Sequence, residues 1–315
     1  MIEFYKTFGT ETKKVETLET GCWINVVSPT EEEKQFLIND LGIVPEFVQA
    51  SLDEEESSHI DFDDDYNQTL VIVDYPSAEE TEGKYDKMTL QYTTLPLGIV
   101  LMKGYIITIS LYENLNIEDM ATGKVKGIHT EMKTRFLLKL LLRISQRYLI
   151  YLRQIDRLSS LTEQKLHKSM QNKELNQMLG LEKSLVYFST SLKTDEITLN
   201  KIMRGKSIKL YEDDQDLLED VLVEINQAIE MCSIYSNILS GTMDAYASVI
   251  SNNLNIVMKV LTVITIVMSI PNIIFSFYGM NVSGLPGPVW WVPTLIAVIA
   301  CVIASFIFMK KDMFH

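Results

Sequence analysis

NIVMKVLTVITIVMSIPNIIFSF, residues 255–277, is followed directly by YGMN at 278–281 and then by a second apolar stretch at 290–309. No charged residue occurs between 260 and 277 or within the second stretch. A helix rises about 1.5 Å per residue, so each stretch can cross a hydrocarbon core about 30 Å thick. The sequence therefore predicts two transmembrane helices, 255–277 and 290–309, joined by an outer loop at 278–289.

Basic residues flank the two predicted spans on one side only. Lys259 lies at the start of the first span, and Lys310 and Lys311 follow the second, whereas residues 279–288 contain neither Lys nor Arg. Because Lys and Arg stay on the cytoplasmic side, both termini are expected in the cytoplasm. The first residues, Met1–Phe4, lack the basic and apolar regions of a signal peptide. We therefore expect a multi-pass protein of the cell (inner) membrane with a short tail at 310–315.

The part of the chain before the spans is strongly acidic. The chain has 28 basic and 42 acidic residues, and residues 1–254 hold 25 and 41 of them, a net charge of −16. Such a surface repels nucleic acid and attracts cations. The three cysteines, Cys22, Cys232 and Cys301, are far apart, which indicates a reducing cytosol and no disulfide framework. Nucleic acid is therefore excluded as a partner, and the lipid bilayer and cations are expected.

No enzymatic motif is present in the sequence. The four histidines, His59, His129, His167 and His315, show no metal-ligand spacing, and no phosphate-binding glycine loop or nucleophile signature occurs. The sequence therefore predicts neither an enzyme nor a bound cofactor.

Two predicted regions precede the first span. Residues 1–130 contain β-branched and apolar runs that predict strands at 21–27, 69–74, 93–102 and 105–110, with a helix starting at Ser28-Pro29-Thr30. Residues 131–254 have a helical pattern with an expected interruption at Asn172–Asn176. The first region is therefore predicted to be a cytoplasmic α/β domain and the second a set of cytoplasmic helices.

A long helix is predicted to enter the membrane without a break. Its apolar positions recur in steps of three and four from about Leu210 onward, namely Leu217, Val221, Ile225, Ala228, Cys232, Tyr235, Leu239, Thr242, Tyr246, Ile250 and Asn253. No proline interrupts this stripe before the first span, so one helix from Leu210 to Phe277 is favoured over two or three separate ones. A sustained stripe usually packs against other helices, which favours an oligomeric bundle.

The same spacing continues through the first span, where it becomes polar. The positions are Asn255, Met258, Thr262, Thr265, Ser269, Asn272, Ser276 and Gly279. They fall on one face of a helix, and polar groups at membrane depth are costly where they face lipid. Close helix packing through small residues is one explanation. A polar line along the whole span favours the other, a water-filled pore.

Several of these residues resemble the CorA magnesium channel family. The resemblance rests on Tyr278-Gly279-Met280-Asn281, on the entry to the first span at 255–262, and on stretches at 23–27, 52–56 and 181–188. It therefore covers nearly the whole chain. It implies a homopentameric funnel in which a long stalk helix is continuous with the first, pore-lining span. Gly279, Met280 and Asn281 would form the selectivity filter.

The resemblance also implies how the pore would work. Mg²⁺ is small and loses water slowly, so oxygen dipoles such as the Asn281 carboxamide would recognise its hydration shell. Met258 and Leu261 would form a hydrophobic gate near the cytoplasmic mouth. Cytosolic Mg²⁺ would be a regulatory ligand as well as the permeant ion, bridging carboxylates between subunits. The candidates for that site are Asp213, Asp214, Asp216 and Asp220.

The sequence departs from the family pattern in the outer loop and the tail, and alternatives stay open. Residues 282–289 hold no acidic residue that could concentrate cations, and the C-terminal basic cluster is reduced to Lys310 and Lys311. Ser269 stands where the family often has a bulkier apolar residue. Influx of Mg²⁺, with Co²⁺ or Ni²⁺ as further ions, is the leading interpretation. A zinc transporter of the same superfamily and a non-conducting Mg²⁺ sensor are the alternatives.

Overall fold

The computed structural model describes residues 1–83, 86–169, 172–205, 208–280, 289 and 291–310. Side chains are described for these residues except at 79–83, 86–90 and 168–169. The chain divides into two compact units, Met1–Ser240 and Gly241–His315. The first unit holds a sheet with its covering helices, and the second holds two apolar helical segments.

Seven strands form a single mixed sheet in the first unit. The strands are β1 (Ile2–Phe8), β2 (Glu11–Val15), β3 (Trp23–Val27), β4 (His59–Asp63), β5 (Gln68–Gly83), β6 (Asp86–Met102) and β7 (Tyr105–Ser110). Their order is β2-β1-β3-β7-β6-β5-β4. The pair β3–β7 is parallel, with Trp23 opposite Ile106, and the other neighbouring pairs of the described strands are antiparallel.

Helices account for the rest of the regular structure. They are α1 (Glu31–Gln35), continued by a π-helical turn at Phe36–Asp40, then α2 (Pro45–Ser51), α3 (Leu115–Ala121), α4 (Lys133–Ser169), α5 (Asn172–Met203), α6 (Glu212–Tyr278) and α7 (Trp291–Lys310). Within the predicted start at 28–30, Thr30 is the N-cap of α1, and its hydroxyl and the Glu33 carboxylate form a capping box.

The core of the first unit lies on both faces of the sheet. On one face, Ile24 and Ile107 pack with Leu37 and Phe47 from the α1–α2 region. On the other face, Trp23 lies against Phe136 of α4, with ring centroids 5.0 Å apart. Adjacent residues of β3 therefore serve opposite faces, as the pleat of a strand requires. The buried Trp23 indole N–H donates to the Thr108 hydroxyl at 2.8 Å, so its polar atom is satisfied.

Three features of this unit differ from the sequence-based expectation. The hairpin β1–β2 and strand β4 were not predicted. The predicted strands at 69–74 and 93–102 are parts of the longer β5 and β6. The interruption predicted at Asn172–Asn176 is misplaced, because these residues begin α5, whereas α4 already ends at Ser169. Exposed polar side chains such as Asn172 and Lys173 suit the start of a helix as well as they suit a loop.

Helix α6 confirms the prediction of one long helix. It contains 67 residues without interruption, including Gly241 and Pro271. Its N-terminal part packs on α5, where the Cys232 thiol donates to the Leu185 carbonyl at 3.2 Å and the Ser240 hydroxyl to Glu182 at 2.8 Å. The alternative of two or three separate helices is excluded over this range.

Candidate functional site

Two helices are long and apolar enough to cross a membrane, namely α6 through its C-terminal part and α7. Their large apolar side chains are mostly exposed, as with Met268 (69%) on α6 and Phe306 (67%) on α7. Exposed apolar surface of this extent marks a contact with lipid or with other protein chains. The second unit therefore supplies a pair of candidate membrane helices.

One face of α6 packs against α7 within this unit. Val263 of α6 and Ala297 of α7 are 2% and 3% exposed, and Val260, Val267 and Ile270 extend the less exposed face of α6. Small residues such as alanine allow membrane helices to approach closely. This face is thus occupied inside a single chain.

The proline within α6 has a specific partner on α7. Pro271 has no N–H, so the carbonyl of Val267, four residues earlier, loses its helical hydrogen bond. The Cys301 thiol of α7 donates to that same carbonyl at 3.6 Å, a weak bond to sulfur. A neighbouring helix therefore satisfies the freed carbonyl, as a membrane environment requires. The sequence contained the signal for this contact in Pro271 but did not identify Cys301 as the partner.

The polar stripe lies on the opposite face of α6. At 3.6 residues per turn, its centre is about 160° around the helix from the centre of the face that packs on α7. Its members are exposed apart from the half-exposed Ser269, namely Asn255, Met258, Thr262, Thr265, Asn272, Ser276 and Gly279. The structure therefore brings all eight predicted stripe positions to one face, and α7 does not cover that face.

Hydroxyl groups of the stripe are anchored on their own helix. Thr262 donates to the Met258 carbonyl at 2.7 Å, Thr265 to the Leu261 carbonyl at 2.8 Å, and Ser269 to the Thr265 carbonyl at 2.8 Å. Each hydroxyl hydrogen is thereby used, while the oxygen keeps lone pairs that can accept from water. The stripe consequently presents acceptor oxygens, which suit the shell of a hydrated cation.

Met258 and Leu261, the predicted gate residues, lie near the N-terminal end of the apolar part of α6, on the same side as the stripe. They are 53% and 55% exposed. Near the other end of the helix, Asn272, Ser276 and Met280 line an open concavity of about 680 Å³ together with Ser269, Ile273 and Phe277. Ile273 and Phe277 were not predicted to belong to this surface.

Helix α6 ends where the predicted filter begins. The Gly279 N–H donates to the Phe275 carbonyl at 2.9 Å, and the Met280 N–H to the Phe277 carbonyl at 3.4 Å. A Cβ on Gly279 would lie 3.3 Å from the Phe275 oxygen, so a side chain would crowd the last turn. The free carbonyls at a helix C-terminus carry partial negative charge that favours cations. Asn281, the third predicted filter residue, lies outside the described residues.

The four predicted regulatory aspartates do not share one environment. Asp213, Asp216 and Asp220 are exposed and lie on one face of α6 at spacings of three and four. Asp214 is 4% exposed, and its carboxylate accepts from the Tyr211 N–H at 3.4 Å at the start of the helix. Three or more His, Cys, Asp or Glu side chains do not cluster as a metal site anywhere in the described part of this single chain.

Comparison with known proteins adds to this geometry. The CorA-like Mg²⁺ transporter protein family matches residues 19–311. The cobalt/magnesium transport protein CorA of Methanocaldococcus jannaschii is 28% identical over 297 residues, covering 92% of this chain and 90% of that protein. Its counterpart from Thermotoga maritima is 22% identical over 301 residues, covering 93% and 83%.

Solved structures agree with the family match. The complete structure of the CorA magnesium transporter from Methanocaldococcus jannaschii is similar over 99% of this chain and 98% of that one, with a TM-score of 0.82 and 25% identity. The full-length CmaX protein shares the fold at a TM-score of 0.68 and 16% identity, covering 98% and 96%. The family match spans most of the sequence and includes both membrane helices, so the chain belongs to the CorA-like Mg²⁺ transporter family.

Proposed function

We propose that the protein is a channel for divalent cations that mediates Mg²⁺ influx across the cell membrane as a homopentamer. The observation that carries the proposal is the position of the polar stripe on α6, on the face opposite α7. Polar side chains at membrane depth need protein or water beside them. Copies of the same face around a common axis would enclose a pore lined by those side chains. The names of the similar transport proteins support Mg²⁺ and Co²⁺ as cargo.

The chemistry of the stripe suits a hydrated divalent cation. It contains carboxamides and hydroxyls and no charged group, so it would contact the water shell of Mg²⁺ without replacing it. Gly279, Met280 and Asn281 would form the outer ring, where the C-terminal carbonyls of α6 add negative potential. Asn272 and Asn255 would supply two deeper rings of carboxamide oxygens. Selection in this scheme acts on the size and water geometry of the hydrated ion.

Gating would occur at the cytoplasmic end of the stripe. Met258 and Leu261 are exposed on the stripe side of α6, so five copies would form an apolar constriction. An apolar constriction excludes water and thereby ions until it widens. Ser269 does not add a second apolar ring above it, so a single constriction would hold the closed state.

Cytosolic Mg²⁺ would close the channel through carboxylates of neighbouring copies. We assign this role to Asp213, Asp216 and Asp220 and leave out Asp214, because its carboxylate is buried at the helix start. A divalent ion would relieve the repulsion between facing carboxylates and so stabilise the closed assembly.

The proposal is tested by ion flux into liposomes that contain the purified protein. We expect Mg²⁺ uptake driven by an inside-negative potential, with no requirement for a proton gradient. Zn²⁺ uptake that depends on a proton gradient, without Mg²⁺ uptake, would instead identify the zinc-transporting alternative. Absence of any flux, together with Mg²⁺-dependent protection from proteolysis, would identify a non-conducting sensor.

The stripe itself is tested by Asn272→Leu beside the control Met268→Leu. Leucine on the stripe removes a ring of oxygens and makes the path apolar, so uptake should fall by about tenfold or more, equivalent to about 1.4 kcal/mol. Met268 is 69% exposed away from the centre of the stripe, and its replacement should leave uptake unchanged. Equal uptake by the two variants would contradict the pore assignment.

Asn281→Ala should alter ion preference in the same assay.

The regulatory site is tested by the triple variant Asp213→Asn, Asp216→Asn and Asp220→Asn. We expect channels that stay open at high internal Mg²⁺. The matched control replaces three exposed acids of the first unit, Glu16→Gln, Asp40→Asn and Asp65→Asn, and should keep normal inhibition. Retained inhibition in the first variant would show that the sensor lies elsewhere.

A further inference from the structure

Two carboxylates inside the first unit take no part in the proposed ion path. Asp195 of α5 is 2% exposed, and Asp74 of β5 is half-buried beside it. None of the described ion pairs includes either residue. Burial of an ionised carboxylate without a cation is costly, and two of them side by side also repel each other. Such a pair requires another source of stabilisation.

The hydrogen bonds around Asp195 satisfy one of its oxygens only. Its Oδ1 accepts from the Ser58 hydroxyl at 2.7 Å and from the Asp74 backbone N–H at 3.0 Å. The same N–H is 3.1 Å from the Ser58 oxygen, so the three residues form one tight contact between α5, β5 and the segment before β4. The Oδ2 atom of Asp195 is buried and has no partner among the described residues.

Among the described residues, the groups that face the pair supply no positive charge to it. The Tyr148 hydroxyl of α4 donates to the Asp74 carbonyl at 3.2 Å, and the Ser191 hydroxyl of α5 donates to Thr94 of β6 at 2.8 Å. Burial and the charge of Asp74 raise the pKa of Asp195 well above its usual value, and burial raises the pKa of Asp74. Burial, followed by the charges of Asp195 and Asp74, likewise raises the pKa of Tyr148.

The remaining titratable neighbours among the described residues place no positive charge against the two carboxylates. Cys232 of α6 faces Tyr148, and burial raises the pKa of its thiol to about 11. The charge of the exposed Lys193 of α5 lowers the pKa of Cys232 and so opposes the effect of burial. Glu54, Glu55 and Glu56 line a cavity of about 350 Å³ together with Asp74, so that side of the pair adds further negative charge.

We propose that Asp195, with Asp74 beside it, forms a proton-binding site that holds one proton in the folded protein at neutral pH. An O–H on the unpartnered Oδ2 of Asp195 removes a buried negative charge next to a second carboxylate. When the proton is released to water, both groups become carboxylates, and their repulsion loosens the contact between α5, β5 and Ser58. The pair titrates as a unit rather than as two independent aspartates.

The sign of the pH effect follows from the raised pKa values. The folded state binds a proton that the unfolded state has already released above the usual pKa of aspartate, about 3.9. The stabilisation is therefore complete below that value and is lost as the pH rises through the raised pKa of the folded pair. This unit should thus become less stable on the alkaline side, opposite to the usual behaviour of a paired carboxylate.

Infrared spectroscopy of the intact protein, labelled with ¹³C-aspartate, tests the proposal without any substitution. A protonated carboxyl group gives a C=O stretching band that shifts with the label. We expect this band at neutral pH in the wild-type protein and its loss in both Asp195→Asn and Asp74→Asn. Absence of a protonated aspartate band from the wild-type protein at neutral pH would overturn the proposal.

Thermal unfolding of the full chain in detergent provides the second measurement. Between about pH 6 and about pH 9, the Tm of the wild-type protein should fall, and Asp195→Asn should remove about half of that fall or more. Asp40→Asn, which changes an exposed aspartate, should keep the wild-type dependence. An identical dependence in Asp195→Asn and Asp40→Asn would contradict a proton held by the pair.

Discussion

The two units of the chain use burial in opposite ways. In Met1–Ser240, large apolar side chains such as Trp23 and Phe136 are fully buried, and polar atoms beside them have partners. In Gly241–His315, large apolar side chains such as Phe306 are exposed, and the informative feature is a line of polar residues on one face of α6. The difference shows that an exposed apolar side chain can be interpreted only when it is known whether water or lipid surrounds it. A core is identified by burial, whereas a pore face is identified by polarity at membrane depth.

The largest expected effect is the loss of stability on truncating a buried aromatic side chain of the first unit. An exposed aromatic side chain of the second unit is the comparison. Trp23→Ala should lower the free energy of unfolding by about 3–5 kcal/mol, because it leaves a cavity between Tyr5 and Phe136 and removes the indole N–H that donates to the Thr108 hydroxyl. Phe306→Ala removes a side chain that is 67% exposed and should cost less than about 1 kcal/mol. Chemical denaturation in detergent checks both. Similar losses of unfolding free energy in the two variants would contradict the distinction between the two units.

The next largest effect concerns a buried charge that does have counter-charges. Asp119 of α3 accepts from Lys124 at 2.9 Å and from Arg143, and it contacts Arg147. Burial opposes ionisation, but these bonds outweigh it and hold the pKa of Asp119 below its usual value. Its contribution to stability is therefore present above the unfolded pKa and lost as the pH falls through the folded one.

Asp119→Asn should cost about 2 kcal/mol at neutral pH and weaken the acid dependence of unfolding. Asp40→Asn is the control for a loss of charge at an exposed site. Thermal melts at several acidic pH values measure both quantities. An unchanged acid dependence would mean that the cluster around Asp119 has no stabilising role. The expected slope is opposite to that of Asp195, so the two variants also distinguish two kinds of buried aspartate.

The smallest expected effect lies between the two membrane helices. Cys301→Ala leaves the Val267 carbonyl without its thiol donor and should cost about 1 kcal/mol or less, because sulfur is a weak donor. Cys301→Ser should keep the bond and recover that loss. Cys22→Ala, just before β3, is the thiol control outside α6 and α7. Equal stability of the Cys301 alanine and serine variants would show that the freed carbonyl has no need of α7.

The periodic features of the fold were the ones that sequence reasoning predicted well. The single helix α6 was expected at 210–277 and lies at Glu212–Tyr278, because the steps of three and four persist over many turns. The stripe on its membrane part was found for the same reason. The hairpin β1–β2 was missed, because short edge strands with many polar residues have a weak pattern.

Features that depend on tertiary contacts could not be read from the sequence. Asp214 lies in an acidic run, yet only the folding of α6 against its neighbours buries it. The meeting of Asp74 with Asp195 joins residues 121 positions apart. The contact of Cys301 with Val267 similarly needs the packing of two helices. The filter residue Asn281 remains a sequence-based assignment, since it lies outside the described residues.

A pore lined by α6 requires that water reach the polar face of this helix and not the face that packs on α7. Single cysteines are introduced into a background without Cys22, Cys232 and Cys301, and the protein is reconstituted in liposomes. The rate at which each cysteine reacts with a charged, membrane-impermeant thiol reagent is then measured. We expect rapid modification at 265, 269, 272 and 276, and slow modification at 263, 267 and 270. Uniformly slow modification at the first four positions, or equal rates on both faces, would contradict a water-filled pore on this face.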